Sequence, residues 1–209
     1  EDMGALYQPT NDLLKLTALL ALIVVAKAAV SAIKTPKATH NREAAERAEL
    51  FKPLGALITR LLNMFYSTDA PQKTKDYAKT IADKIRSSGG GSKADDRTPP
   101  PTDDPDAPAP EDDESRPYST SQRSYVRLAD NFEMFISILK AEPTYQPNEE
   151  DLKIAALETL LASFKAKNGT VELALKAWKK TLADRNAALY AEKTGLVDVA
   201  LAVKKYVRG

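Results

Sequence analysis

A segment near the start of the chain returns 138 residues later. Tyr7-Gln8-Pro9 is repeated as Tyr145-Gln146-Pro147, Leu14-Lys15 as Leu152-Lys153, and Ala18-Leu19 as Ala156-Leu157. Seven of the thirteen paired positions are identical, where unrelated segments would share roughly one. A second match follows in the same order: Leu50-Phe51 is answered by Leu189-Tyr190, and Gly55 by Gly195 with one residue of slippage. Whatever one half of the chain builds, the other half should therefore be able to build. Each half reads as a lead-in, a helix, a break, a second helix, an aromatic residue, a loop and a third helix. In the lead-in, proline sets an extended backbone, polar residues cap the helix, and tyrosine packs back over its first turn.

Helix signals fill most of the chain. Leu16 to Ala26 is eleven residues without a charge, bounded by Lys15 and Lys27. A membrane span needs about 20 apolar residues, so this stretch reads as a core helix. Its apolar residues (Leu16, Leu19, Leu20, Leu22, Ile23, Val24, Val25) run all round, which places it at the centre of a bundle. Asn11-Asp12 is expected to cap it and Thr35-Pro36 to stop it. Thr39 to Phe51 reads as helix. After Pro53 and Gly55, Leu54, Leu57, Ile58, Leu61, Leu62 and Phe65 form a new stripe. Pro71 opens a helix with a stripe of Tyr77, Ile81 and Ile85. Further on, the stripes are Tyr125, Leu128, Phe132, Phe135, Ile136 and Leu139, then Leu152, Ile154, Leu157, Leu160, Leu161 and Phe164. Asn168-Gly169 is a turn signal, followed by helix from Thr170 to about Tyr190 and a last helix through Leu196, Val199, Val203 and Tyr206. No stretch reads as strand. The expected fold is all-α, a six- or seven-helix bundle of two pseudo-symmetric halves.

From Ser87 to Pro117 the composition changes. The segment holds three Gly, seven Pro, nine acids and three bases, and no large apolar residue. It reads as a solvated acidic linker, lying on the surface without helix or strand. The expected organisation is residues 1–86 as the first helical half, 87–117 as linker and 118–209 as the second half, packed with the first as one domain. Without the linker the chain carries 27 bases and 20 acids, a net of +7. The sequence opens on Glu1-Asp2-Met3, which leaves open both added residues before Met3 and a removed leader; no positively charged segment followed by an apolar run and a cleavage site stands at the front, and a soluble, cytoplasmic chain is expected.

The chemistry available is narrow. There is no Cys, which excludes disulfides, thiolate metal sites and Cys nucleophiles. The single His40 excludes a His-paired metal site within one chain, and beside Asn41 and Arg42 it reads as a surface residue in a turn. Met64 and Met134 lie in apolar stripes and read as core filler. Glu43, Glu46 and Glu49 form a solvated face, and Glu149-Glu150-Asp151 are first-turn acids favoured by a helix dipole. Ser119, Thr120, Ser121 and Ser124 have no base nearby in sequence. Gly89-Gly90-Gly91 follows no strand and is no phosphate loop. Lysines at 176, 179, 180, 204 and 205 are too sparse for a nucleic-acid surface.

Three blocks carry a resemblance. One is Leu50-Phe51-Lys52-Pro53-Leu54 with Thr59-Arg60 and Ala78-Lys79-Thr80-Ile81. Another is Ser119-Thr120-Ser121-Gln122 with Ser124-Tyr125, Arg127, Asn131-Phe132 and Glu142-Pro143. The last is Tyr145 to Leu152 with Arg185-Asn186, Leu189-Tyr190, Thr194-Gly195-Leu196-Val197-Asp198 and Val203-Lys204-Lys205-Tyr206-Val207. Together they resemble an uncharacterised family of all-helical Bacteroidetes proteins with an internal duplication. The resemblance implies the fold and no activity.

Within these blocks Arg127, Asn131 and Arg185 are the unusual polar residues. Arg127 and Asn131 share a helix face. They read as a polar network fixing helix register, with a small anionic ligand site as the functional counterpart. The resulting expectation is a non-enzymatic protein without metal or cofactor, acting as a structural or protein-interaction module. The alternative is a carrier of a small apolar ligand. The expected partner is protein, with no nucleic acid and no integral membrane span.

Overall fold

The computed structural model describes residues 7–89 and 120–208, with side chains from 7–86 and 125–208. The linker expected from Ser87 begins later, because α4 runs on through Gly89 and the first three residues of the expected linker are helix; the remainder, 90–117, and its expected surface course lie outside the described residues. Among the described residues all regular structure is helical. The segments are α1 (Leu16–Ala32), α2 (Lys34–Phe51), α3 (Leu54–Tyr66), α4 (Gln72–Gly89), α5 (Thr120–Lys140), α6 (Ile154–Tyr190) and α7 (Leu196–Arg208). Only short breaks at Ile33 and at Lys52-Pro53 separate α1, α2 and α3, so counted through those breaks there are five helices.

The duplicated lead-ins take the same local form. Asn11 is extended (φ −78°, ψ 119°), Asp12–Leu14 makes a single 3-10 turn, and Lys15 is extended again (φ −63°, ψ 144°) before α1. Its counterpart has Glu149 at φ −72°, ψ 125°, a turn over Glu150–Leu152, and Lys153 at φ −66°, ψ 143° before α6. In each, the tyrosine seven residues ahead donates to the turn's last carbonyl: Tyr7 to Leu14 at 2.6 Å and Tyr145 to Leu152 at 2.8 Å. Each turn is also bridged from its first residues to the following lysine, Asp12–Lys15 and Glu150–Lys153, both at 2.5 Å. The extended lysine ends the turn, so α1 starts at Leu16 and not directly at the Asn11-Asp12 cap. The third helices match as well, with Leu57 N–H donating to Pro53 O and Val199 N–H to Gly195 O. The helix starts therefore pair Pro53 with Gly195, and Gly55 falls two residues inside α3.

The chain divides into two compact units, one of residues 1–46 and 169–209, the other of 47–168. Each draws on both sides of the acidic segment. In the second unit, α3, α4 and α5 pack with the second lead-in and the start of α6. Ile58, Leu61, Phe65, Ala78, Ile81, Ile85, Phe132, Phe135, Leu139, Leu157 and Phe164 are all but fully buried. Phe164 stacks on Phe51 (centroids 4.0 Å apart) and contacts Phe132. The sequence stripes of α3 and α5 match this core. On α4 the inward stripe is Ala78, Ile81, Ala82 and Ile85; Tyr77 is exposed instead and donates to the sulfur of Met134 at 3.1 Å.

The first unit holds the first lead-in, α1, α7 and parts of α2 and α6. Here the expectation of a central, buried α1 is overturned. Ala26 is the only fully buried residue of α1, while Leu16, Leu20, Ile23, Val24, Val25 and Val30 are exposed. The inward stripe is Leu19, Leu22, Ala26 and Ala29. The neighbours of α1 in this unit occupy one side only, so an all-round apolar helix leaves most of its girth open. On α7, likewise, only Val199 is buried.

Of two expected breaks, the one before Thr35-Pro36 shrinks to the single residue Ile33 and the one at Asn168-Gly169 is absent. Pro36 falls in the first turn of α2, where the missing N–H has no helical partner to lose. Asn168-Gly169 is continuous helix within α6. The Asn168 amide donates to the Tyr125 carbonyl at 3.3 Å, and Val171 three residues on is fully buried, so packing overrides the local turn preference.

Candidate functional site

The most unusual surface of the chain is the apolar face of α1 and α7. Along α1 the exposed residues Leu16, Leu20, Ile23, Val24, Val25 and Val30 cover more than four turns. Exposed Val197, Leu201, Tyr206 and Val207 of α7 add to it. Tyr7 meets Tyr206 edge to face with centroids 5.4 Å apart, which ties α7 to the first lead-in. Large exposed apolar patches mark interaction sites in folded proteins. An open groove of about 290 Å³ runs beside the one buried residue of α1, lined by Ile23, Ala26, Val30, Leu189 and Leu196, with Lys27 at its edge. By length and composition, the continuous helical stretch that begins with α1 can cross a membrane. An 18-residue window has a mean hydropathy of 2.3, and 6% of it is buried.

The chain also holds buried polar groups. Arg47 is buried with its guanidinium carbon 4.2 Å from the centre of the Tyr125 ring, and that burial pulls its pKa below the usual arginine value. A guanidinium over an aromatic face gains cation–π attraction in place of a carboxylate partner. Sequence reading missed this contact, because Arg47 lies in an Ala/Glu/Arg-rich run that looks solvated. Arg60 of α3 makes a two-pronged bond to Asp151 in the second lead-in, and holds that carboxyl below its ordinary pKa.

The sequence-derived residues fall apart into the two units. Arg127 is exposed on α5 and Asn131 is half-buried one turn on, both in the second unit. Arg185 belongs to the first unit and donates to the side chain of its neighbour Asn186 at 2.5 and 3.0 Å. His40 packs against Trp178 with ring centroids 5.3 Å apart. Met64 packs against the core of the second unit, whereas Met134 is exposed and not the core filler expected. Among the described residues, no three His, Asp or Glu side chains converge as metal ligands would.

No protein-family model, no curated protein and no solved structure matches the chain.

Proposed function

We propose that the chain is a non-enzymatic helical-bundle protein whose two related halves, six or seven helices in all, act as a structural or protein-interaction module. The observation that supports this reading is the bare apolar face of α1 and α7. Exposed Leu, Ile and Val over four turns are a standing cost in water, at ~25 cal/mol for every Å² left uncovered, and a partner removes that cost. The absence of Cys and the lone His40, packed against Trp178, favour binding over catalysis. Membership of the uncharacterised Bacteroidetes family that the sequence resembles is part of this proposal.

A carrier of a small apolar ligand is the second reading. A carrier encloses its cargo, and the groove beside Ala26 is open. Native mass spectrometry of the protein isolated from its own host separates the two. The interaction reading expects a protein complex that dissociates in an Ile23→Glu variant. A monomer retaining a small apolar molecule would support the carrier instead.

A further inference from the structure

The duplication gives part of the bare surface a covered counterpart within the same chain, around Ile23, Ala200, Val203 and Val207; Leu20, Val24, Val25 and Val30 correspond to Glu158, Ala162, Ser163 and Asn168, which are exposed or half-buried. By the 138-residue offset of the lead-ins, the start of α6 corresponds to α1. By the matched helix starts at Pro53 and Gly195, α3 corresponds to α7. In the second unit, α4 and α5 cover this pair. Phe65 and Leu161 are 0% and 8% exposed there, whereas their counterparts Val207 and Ile23 are 52% and 37% exposed. Ile58 and Leu61 are fully buried, while the corresponding Ala200 is exposed and Val203 half-buried.

One charged residue takes the comparison further. Lys165 of α6 reaches across to Glu133 of α5 at 2.7 Å. Its counterpart is Lys27, the single charge in α1, which borders the open groove and has no ion-pair partner among the described residues. From this we infer that the face of α1 and α7 is the docking site of a partner protein that presents an amphipathic helix of the α5 kind. Such a helix has apolar residues spaced like Leu128, Phe132, Phe135 and Leu139, and a carboxylate placed like Glu133 to meet Lys27. The inference deepens the interaction reading above and rests on it.

Charge sets the choice of occupant. A second copy meeting this face by twofold symmetry would bring Lys15, Lys27 and Lys34 against their own equivalents, and the chain has no acid between Leu16 and Arg42 to oppose them. A bilayer offers apolar cover but no fixed carboxylate for a lysine midway along the helix. The chain's own acidic segment has no Val, Leu, Ile, Met, Phe, Tyr or Trp between 90 and 117 and cannot form the stripe.

The chain's own α5 sequence is the probe. A labelled peptide of residues 120–140 is titrated into the full-length protein and followed by fluorescence anisotropy. Saturable binding is expected, abolished by Ile23→Glu and weakened about tenfold by Lys27→Glu, with recovery when the peptide carries Glu133→Lys. Both substitutions are at solvent-facing positions, and unchanged circular dichroism melts verify the fold. No binding up to about 1 mM peptide, or binding indifferent to the charge exchange, overturns the inference. So does a dimer of the chain alone that Ile23→Glu dissolves, or adsorption to phosphatidylcholine vesicles that Ile23→Glu abolishes. If the peptide fails while the protein from its host still carries a protein partner released by Ile23→Glu, only the helix chemistry falls and the interaction reading stands.

Discussion

The Tyr145 hydroxyl donates to the Leu152 carbonyl at 2.8 Å, spanning the seven residues of the second lead-in. Tyr7 makes the same bond to Leu14 at 2.6 Å in a less buried setting. Removing the hydroxyl from Tyr145 leaves a buried carbonyl without its partner, whereas water can reach the carbonyl beside Tyr7. Tyr145→Phe is expected to lose about 1–2 kcal/mol in urea unfolding, and Tyr7→Phe less than half of that. Equal losses would mean that the two lead-ins are equally buried.

Burial also pushes the Tyr145 phenol up to about 12. A pKa raised on folding means that the folded state resists ionisation. The stabilisation is whole below the unfolded value near 10 and drains away as pH rises from there towards 12. Melting temperature should fall across that window in the wild type and fall less in Tyr145→Phe. Identical pH profiles would remove Tyr145 from the account.

The glycines separate by what a side chain would meet. A Cβ on Gly195 would lie 2.5 Å from the Ala191 nitrogen and 2.8 Å from the carbonyl oxygens of Ala191 and Leu189, all backbone atoms. Gly195→Ala is therefore expected to cost on the order of 2 kcal/mol. Gly169, in the middle of α6, has nothing within 4 Å, and Gly169→Ala should gain roughly 1 kcal/mol from helix propensity. Thermal melts of the two variants should move in opposite directions.

Apolar truncations should also divide by unit. Phe164 is fully buried between Phe51 and Phe132, so Phe164→Ala is expected to cost about 3–5 kcal/mol. Leu201 is half exposed on α7, and Leu201→Ala should stay within about 0.5 kcal/mol of wild type in the isolated chain. A large loss at Leu201 would mean that α7 is covered.

Much of this was legible in the residues. The helical class, the stripes of α3 and α5, and the paired lead-ins follow from spacing and from Tyr-Gln-Pro, because those features are set by neighbours a few residues away. The burial of α1 was not legible, since an all-round apolar helix reads the same whether packed or bare. One signal was present: where α6 has Glu158, Ser163 and Asn168, the matching positions of α1 hold Leu20, Val25 and Val30. That excess of apolar residues over the duplicate marks the open face. Arg47 on Tyr125 and the continuous helix through Gly169 depend on contacts more than forty positions away in sequence, between residues 47 or 168 and residue 125, and no local pattern encodes them.

The central claim is that Ile23, Ala200 and Val207 are bare while their counterparts Leu161, Ile58 and Phe65 are covered by the chain itself. Carbene footprinting of the isolated full-length protein reads both faces in one experiment. Heavy labelling is expected at Ile23, Ala200 and Val207, with little at Leu161, Ile58 and Phe65. Equal protection of the two sets would contradict the account, because α1 would then be the buried helix its composition first indicates.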